Sequence, residues 1–179
     1  PSRPWTLVEV DHHAQEWTVD AHYLGMYVDQ VARERHEAKL ATDILRWRGV
    51  CQRHAHALGV TGKVRATRTD LFNPGSDDQV ARVLFEVWGL PIVLETDTGK
   101  PSTKDEVIRG FLTTGGMPAD RRLFLDAIRR YRRAEKALAT FVVPMRPNTM
   151  EDGKVWPDGR VRSSWVAHTT SVGRYASRG

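Results

Sequence analysis

Asp29-Gln-Val-Ala-Arg-Glu-Arg-His-Glu-Ala-Lys-Leu40-Ala-Thr-Asp-Ile44-Leu-Arg-Trp47-Arg-Gly-Val-Cys51-Gln-Arg-His-Ala55-His-Ala-Leu58-Gly59 is the stretch whose reading decides the architecture. Leu40, Ile44, Trp47, Cys51, Ala55 and Leu58 recur at the three- and four-residue steps that put side chains on one face of a helix. Asp29 can cap its first turn, and Gly59 can supply the left-handed residue that closes it. A helix of ~30 residues is about 45 Å long at 1.5 Å per residue, longer than most globular helices, and this points to an arm.

Outward from that arm the punctuation is regular. Residues 60–75 read as a loop, after which Ser76-Asp-Asp-Gln79 forms a capping box for a helix from 77 to about 88, with Val80, Val83, Leu84, Val87 and Trp88 as its apolar positions. Gly89 and Pro91 stop it. Thr103-Lys-Asp-Glu106 is a second capping box, opening a short helix with Val107, Phe111 and Leu112 on one face and Gly115-Gly116 at its end. From about Pro118 to Val143 a second long helix carries Phe124, Ile128, Tyr131, Leu138 and Phe141 near one stripe, with Pro144 beyond it. The period then changes to two. Lys154-Val-Trp156, a Pro157-Asp-Gly159 turn and Arg160-Val-Arg-Ser-Ser-Trp165 predict a β-hairpin, and Thr6-Leu-Val-Glu-Val10 reads as a short strand. The expectation is a mainly α chain with two long helices, short capped helices between them and a small β-hairpin at the end, α+β in class.

Composition narrows the function. The 179 residues suffice for one ordinary domain with a real core. With 40% hydrophobic residues, 27% charged and a mean hydropathy of −0.47, no stretch approaches the ~18 apolar residues of a membrane span. The single cysteine, Cys51, excludes an intrachain disulfide and a cysteine-built zinc site, and makes a reducing compartment the default. The opening residues lack the layout of a signal peptide. Pro1 in place of Met, and the end at Arg178-Gly179, give the expectation of a trimmed chain or one subunit of a split protein.

Twenty-seven Lys and Arg against twenty-two Asp and Glu give +5, which suits a polyanionic partner. The excess is concentrated: Arg121, Arg122, Arg129, Arg130, Arg132, Arg133 and Lys136 stand against Asp120, Asp126 and Glu135 on the second long helix. Lys154, Arg160, Arg162, Arg174 and Arg178 follow with Asp158 as their acid. Two adjoining basic elements point to a surface that tracks phosphates. Asp11-His12-His13 is a candidate metal triplet, but metal hydrolysis needs further aspartates at strand ends, and no second Asp-x-Asp occurs. His54 and His56 sit two apart on a helix, which turns the rings away from each other, and Cys51 lies on an apolar face as core rather than nucleophile.

An ordered set of motifs then becomes visible. Leu71-Phe-Asn-Pro-Gly-Ser-Asp-Asp-Gln-Val-Ala-Arg-Val-Leu-Phe85 with Gly89-Leu-Pro91 resembles the FN-x-x-S-x-x-Q…LF…GLP stretch of the family A, polymerase I type DNA polymerases. Thr96-Asp-Thr-Gly-Lys-Pro-Ser-Thr-Lys-Asp-Glu-Val107 is similar to their T-x-x-G-x-P-S-T-x-x-E-V segment, and Tyr131-Arg132, Lys136 and Thr140-Phe141 to their YR…K-L-K-S-T-Y run. Gly159-Arg-Val-Arg-Ser-Ser-Trp165 through Thr170-Ser-Val-Gly-Arg174 and Ser177 resembles GR-V-H-T-S-Y…T-A-T-G-R-L-S-S, and Leu24-Gly-Met-Tyr-Val-Asp29 the segment that opens the family's long helix. The five segments lie in family order and cover roughly residues 20–179. The Arg-rich composition suits a phage or actinobacterial version.

The resemblance implies a lead-in at 1–19, an antiparallel helical thumb at 20–143 and the first strands of a palm at 144–179. It implies that Arg132 and Lys136 contact duplex phosphates, that Arg174 lies in the minor groove near the primer terminus, and that Gly173 and Ser177 support that turn. Asn73, Ser76 and Thr140 complete the implied DNA-binding set. Leu138 and Ala139 stand where the family has Lys and Ser, and Ala167 and Val172 where it has Gln and Thr, so contacts from those positions are not carried over. The implied partners are primer-template DNA and the remaining palm and fingers, in the cytoplasm of a bacterium or a phage-infected cell. No catalytic or metal-binding residue falls on this chain, and Mg²⁺ is expected only in the complete polymerase, so the chain is not expected to polymerise alone. Two other readings stay open: a free-standing DNA-binding or polymerase-accessory module and, last, a metal-dependent phosphoesterase using Asp11, His12 and His13.

Overall fold

A computed structural model describes residues 19–20, 23–60, 71–162, 164–166 and 176–178. Strand β1 is Met26–Tyr27, followed by α1, Gln30–Ala57, and α2, Asp77–Ala81, which continues as the wider π-helical turn Arg82–Val87. Helix α3 is Asp105–Thr113 and α4 is Ala119–Ala137, running on through a π-helical turn, Leu138–Val142, and a 3₁₀ turn, Val143–Met145. Strands β2, β3 and β4 are Arg160–Val161, Ser164–Val166 and Ala176–Arg178. The chain divides into two compact units, Glu37–Ala139 and the combination of Pro1–His36 with Thr140–Gly179.

The unit of residues 37–139 holds the core. Its part of α1 runs antiparallel to α4: the His54 ring lies 5.8 Å from Phe124, while seven residues earlier the Trp47 ring meets Arg130, later along α4, at 4.9 Å. Phe124 is the centre of the packing, with Phe72 and Trp88 each 5.5 Å away between ring centroids. Cys51, Ala55, Val80, Val83, Leu84, Ile108, Leu125 and Ile128 close around it, all fully buried. Along α1 the fully buried residues are Cys51 and Ala55, in its C-terminal half. The helix ends as its sequence directs: Gly59 takes φ +67°, Gly59 N donates to His56 O at 3.0 Å, and Val60 N donates to Ala55 O at 2.9 Å. That pair of bonds satisfies the last carbonyls and turns Val60 into the core.

Both capping boxes differ from expectation. Ser76 Oγ does accept from Gln79 N, at 3.4 Å, but Gln79 Oε1 reaches past Ser76 to accept from Asn73 N at 2.7 Å. Ser76 N is already held by Asn73 O at 3.0 Å, so the glutamine closes the Asn73–Ser76 loop instead. Thr103 caps nothing: α3 begins at Asp105 with Lys104 at its cap position, and the Thr103 hydroxyl donates to Asp77 Oδ1. A charged acceptor offers the hydroxyl more than a backbone amide does. On α4 the expected stripe fails at Phe141, which is exposed, while Val142 is buried. The π-helical turn takes more residues than an α turn and rotates the face by one position.

The expected hairpin is rearranged in the unit of residues 1–36 with 140–179. The turn forms, with Gly159 N on Trp156 O and Trp156 N on Arg160 O, both at 2.9 Å. Its second arm nevertheless pairs elsewhere. Strand β2 is antiparallel to β1, with Met26 opposite Val161 and Tyr27 opposite Arg160. Val155 makes a parallel bridge to Pro147, and β3 pairs antiparallel with β4, Trp165 opposite Ser177. Asp29 caps α1 through Oδ1, which accepts from Ala32 N at 3.0 Å, and Gln30 Nε2 ties the helix start to Met145 O at 3.0 Å. The proposed strand at Thr6–Val10, the Asp11-His12-His13 triplet and the Thr170–Arg174 segment lie outside the described residues.

Gly25 is required where β1 begins. Its φ is +60°, and a Cβ there would lie 2.6 Å from Val161 O on the paired strand. Gly25→Ala therefore meets both a backbone penalty and a steric one, and should lower unfolding free energy by about 1–3 kcal/mol. Denaturant unfolding of the two proteins measures this, and equal midpoints would contradict it.

Candidate nucleic-acid interface

Helix α4 alternates an apolar face with arginines that resolve into distinct local roles. Arg122 Nη2 donates to Leu112 O at 3.1 Å, tying α4 to the end of α3. Arg129 holds Asp105 with two bonds, Nε to Oδ1 at 2.6 Å and Nη2 to Oδ2 at 3.2 Å. Arg109 and Arg133 reach the same carboxylate at 2.9 and 3.4 Å. Three guanidiniums on one acid make Asp105 the electrostatic knot between α3 and α4. The Arg129 bond, followed by the Arg109 bond and the charges of Arg129 and Arg133, holds its carboxyl well below the usual carboxylate range against the opposing effect of burial. Arg129 is pushed up in turn, chiefly by the same bond.

Arg130 is bonded to Asp126 at 2.6 Å and lies over the Trp47 ring, whose indole also carries Arg46 at 5.0 Å. Arg46, Trp47 and Arg130, with Leu40, Asp43 and Arg133, line a groove of about 430 Å³ between α1 and α4. Tyr131 OH donates to Glu135 Oε1 at 2.8 Å and is pushed up to about 12 by burial and then by that carboxylate. Burial likewise pushes the Cys51 thiol up to about 12, with the Arg132 charge pulling the other way, so the thiol stays protonated and unreactive at neutral pH.

Arg132 is the most heavily engaged of the sequence-predicted residues. Nε donates to Pro74 O at 2.8 Å, Nη1 to Thr103 O at 2.7 Å and Nη2 to Asp77 Oδ1 at 3.0 Å, with Thr103 Oγ1 within 3.4 Å of both terminal nitrogens. Lys136, one turn on, is exposed and has no partner among the described residues. Asn73 uses Oδ1 to accept from Gly75 N at 3.0 Å, and Ser76 serves as the α2 cap. Arg132, Asn73 and Ser76 are thus brought together in one node. Thr140 is exposed on the π-helical turn. Ser177 is placed by its backbone in β4, and Arg174 lies outside the described residues.

Beside the Arg132 node is a cleft of about 710 Å³. Its three carboxylates are each matched to a cation: Asp77 with Arg132 at 3.0 Å, Asp78 with Lys100 at 3.0 Å and Glu86 with Arg82 at 3.6 Å. Lys104, on the cleft wall, has no carboxylate partner among the described residues, so the wall keeps one positive charge. Sequence reasoning saw Lys104 and Asp105 only as the middle of a capping box. The spacing of Asp105 and Arg109 marks an ion pair on one helix face, but nothing local announces the bonds to Arg129 and Arg133. Among the described residues no group of three or more His, Cys, Asp or Glu side chains converges as a metal site, and no helix is long and apolar enough to cross a membrane.

The Asp105 knot has a signed pH dependence. A carboxyl whose folded pKa is depressed stabilises the fold fully above its ordinary value of about 3.9 and loses that contribution as pH falls towards the folded value. Asp105→Asn should therefore lower the melting temperature by an amount that is constant between about pH 5 and 8 and shrinks below about pH 4. A deficit that grows on acidification would contradict the assignment.

No family model matches the chain. Over 108 residues it is 34% identical to the DNA polymerase of Bacillus phage SP01, a match that takes in 60% of this chain and 10% of that protein. Among solved structures, the polymerase domain of Pol1 from M. smegmatis, in complex with a DNA primer-template and dNTP, superposes with a TM-score of 0.68 at 21% identity, covering 91% of this chain and 24% of that one. The chain thus spans about a tenth of the phage protein and a quarter of the mycobacterial chain. By fold it matches part of a polymerase I-type polymerase domain, and by sequence it is similar to a segment of a phage DNA polymerase.

Proposed function

We propose that the chain is the thumb, residues 20–143, and the first palm strands, residues 144–179, of a family A DNA-directed DNA polymerase. Its work is to grip primer-template duplex while a palm and fingers outside these residues add nucleotides in DNA replication or repair synthesis. The observation that carries this reading is the match of nearly the whole fold to a polymerase domain whose structure holds primer-template DNA. The ordered motifs from Leu24 to Ser177 support it independently.

The chemistry fits a grip. Lys136, Lys104 and the basic groove residues Arg46, Arg130 and Arg133 offer donors to a sugar-phosphate backbone without any base-reading pattern. Thr140, Asn73 and Ser76 add hydroxyl and amide groups, and Arg174, supported by Ser177, is assigned by resemblance to the minor groove, where acceptors occur at every base pair. The Mg²⁺ ions of the complete polymerase would be held by carboxylates of the palm, and no group for them exists among the described residues. The site of action is the cytoplasm of a bacterium or a phage-infected cell.

Duplex binding by the chain should be sequence-independent and salt-sensitive, because each neutralised phosphate contributes a log-log slope of about −0.9. About three contacts give a slope near −3, and Lys136→Ala should reduce its magnitude by about one contact. Fluorescence anisotropy with unrelated duplexes at several salt concentrations checks both. Preference for one sequence would favour the free-standing DNA-binding module instead.

A further inference from the structure

Arg132 is where the family resemblance and the geometry part. The resemblance assigns it a DNA phosphate, whereas the structure commits its guanidinium to the protein: Pro74 O, Thr103 O and Asp77 Oδ1 take one bond from each of its three nitrogens. Building on the reading that the chain grips duplex DNA, we infer that Arg132 is a positioning residue for DNA binding, and that the phosphates it has been assigned are taken by Lys104 and Lys136, which flank it.

Three observations carry this. The first is directional: the acceptors are Pro74 O and Asp77 Oδ1 on one loop–helix junction and Thr103 O on a distant segment, and a planar fork with fixed donor directions can hold all three, which a single ammonium cannot. Turning the fork outward to a phosphate would strand two backbone carbonyls and an aspartate.

The second is the placement of the lysines. Lys136 is one helical turn beyond Arg132 on α4, hence on the same side of the helix. Lys104 lies between Thr103, which Arg132 holds, and Asp105, which Arg129 and Arg133 hold. Its backbone is therefore pinned to α4 on both sides while its side chain is exposed.

The third is charge. Every carboxylate of the neighbouring cleft is already paired, Asp77 by Arg132 itself, so Lys104 and Lys136 are the cations here without an acidic partner among the described residues. Loss of the fork would release Asp77 and let it compete with the phosphate for Lys104, which lines the same cleft.

Asp77→Asn separates the two roles by the sign of its effect. If Arg132 contacted phosphate, removing Asp77 would free the guanidinium and subtract a negative charge from the surface, and duplex DNA would bind more tightly. A positioning role predicts the reverse, a loss of roughly three- to tenfold, because a charge-assisted bond of the fork is gone. Asp77 is largely exposed, so this variant retains the fold, and a melting curve on each protein checks that.

The measurement is anisotropy of a labelled duplex with the full 179-residue chain at several salt concentrations. Arg132→Lys, which keeps the charge, should lose affinity as Arg132→Ala does, while Lys104→Ala and Lys136→Ala should each reduce the salt slope by about 0.9. Tighter binding by Asp77→Asn, or unaltered affinity of Arg132→Lys, would overturn the inference and leave the grip reading standing. Absence of salt-dependent binding by the unaltered chain would overturn that reading and this one together.

Discussion

The fork of Arg132 is the constraint on which the helical unit depends. One side chain fixes the Asn73–Ser76 loop through Pro74, the start of α2 through Asp77 and the approach to α3 through Thr103. The loop and the start of α2 are contiguous, whereas Thr103 lies 26 residues beyond Asp77, so a rigid multidentate donor is the economical way to hold the two stretches together. Its position is supported from beneath by the core, where Phe72, at the head of the loop, packs against Phe124 of α4. A buried carbonyl left without its donor costs about 1–3 kcal/mol, more than a solvent-exposed phosphate contact returns, which is why the internal arrangement wins.

The same reasoning recasts the basic helix. Its arginines look in sequence like a strip of free positive charge, but Arg129, Arg130, Arg132 and Arg133 are bonded to Asp105, Asp126 and Asp77, and Arg122 to a carbonyl. Most of that charge is spent on architecture. What remains for a polyanion is a small number of exposed lysines on a backbone that the arginines make rigid, together with Arg46 at the groove beside Trp47. Rigid placement of a few charges limits the conformational entropy lost on binding.

Wherever a single local rule sufficed, the sequence was legible. The cap at Asp29, the stop at Gly59 and the turn at Gly159 follow from capping or backbone freedom and are present, and the face stepping from Leu40 to Leu58 holds as far as Ala55, with Leu58 exposed at the helix end. Long-range competition was not legible. Thr103 leaves its capping role because Asp77, 26 residues away, accepts its hydroxyl, and Arg160–Val161 leaves the hairpin because Met26–Tyr27 offers a partner strand. Phe141 is displaced by a π-helical turn that periodicity at 3.6 residues cannot foresee. Within the candidate site, the motifs pointed to Arg132 and Lys136, yet the proposed division of labour between them rests on partners that no spacing encodes, and Lys104 became a candidate only through the pinning of Thr103 and Asp105 on either side of it.

The most direct test is a nuclear magnetic resonance titration of the isotope-labelled chain with duplex DNA, following the Arg132 Nε–H together with the side-chain signals of Lys104 and Lys136. A bond from Nε to Pro74 O that persists in the complex should keep the Arg132 resonance near its free position and protected from exchange, while the two lysines shift in a salt-dependent manner. An Arg132 resonance that moves or loses protection on binding, with both lysines silent, would contradict the account.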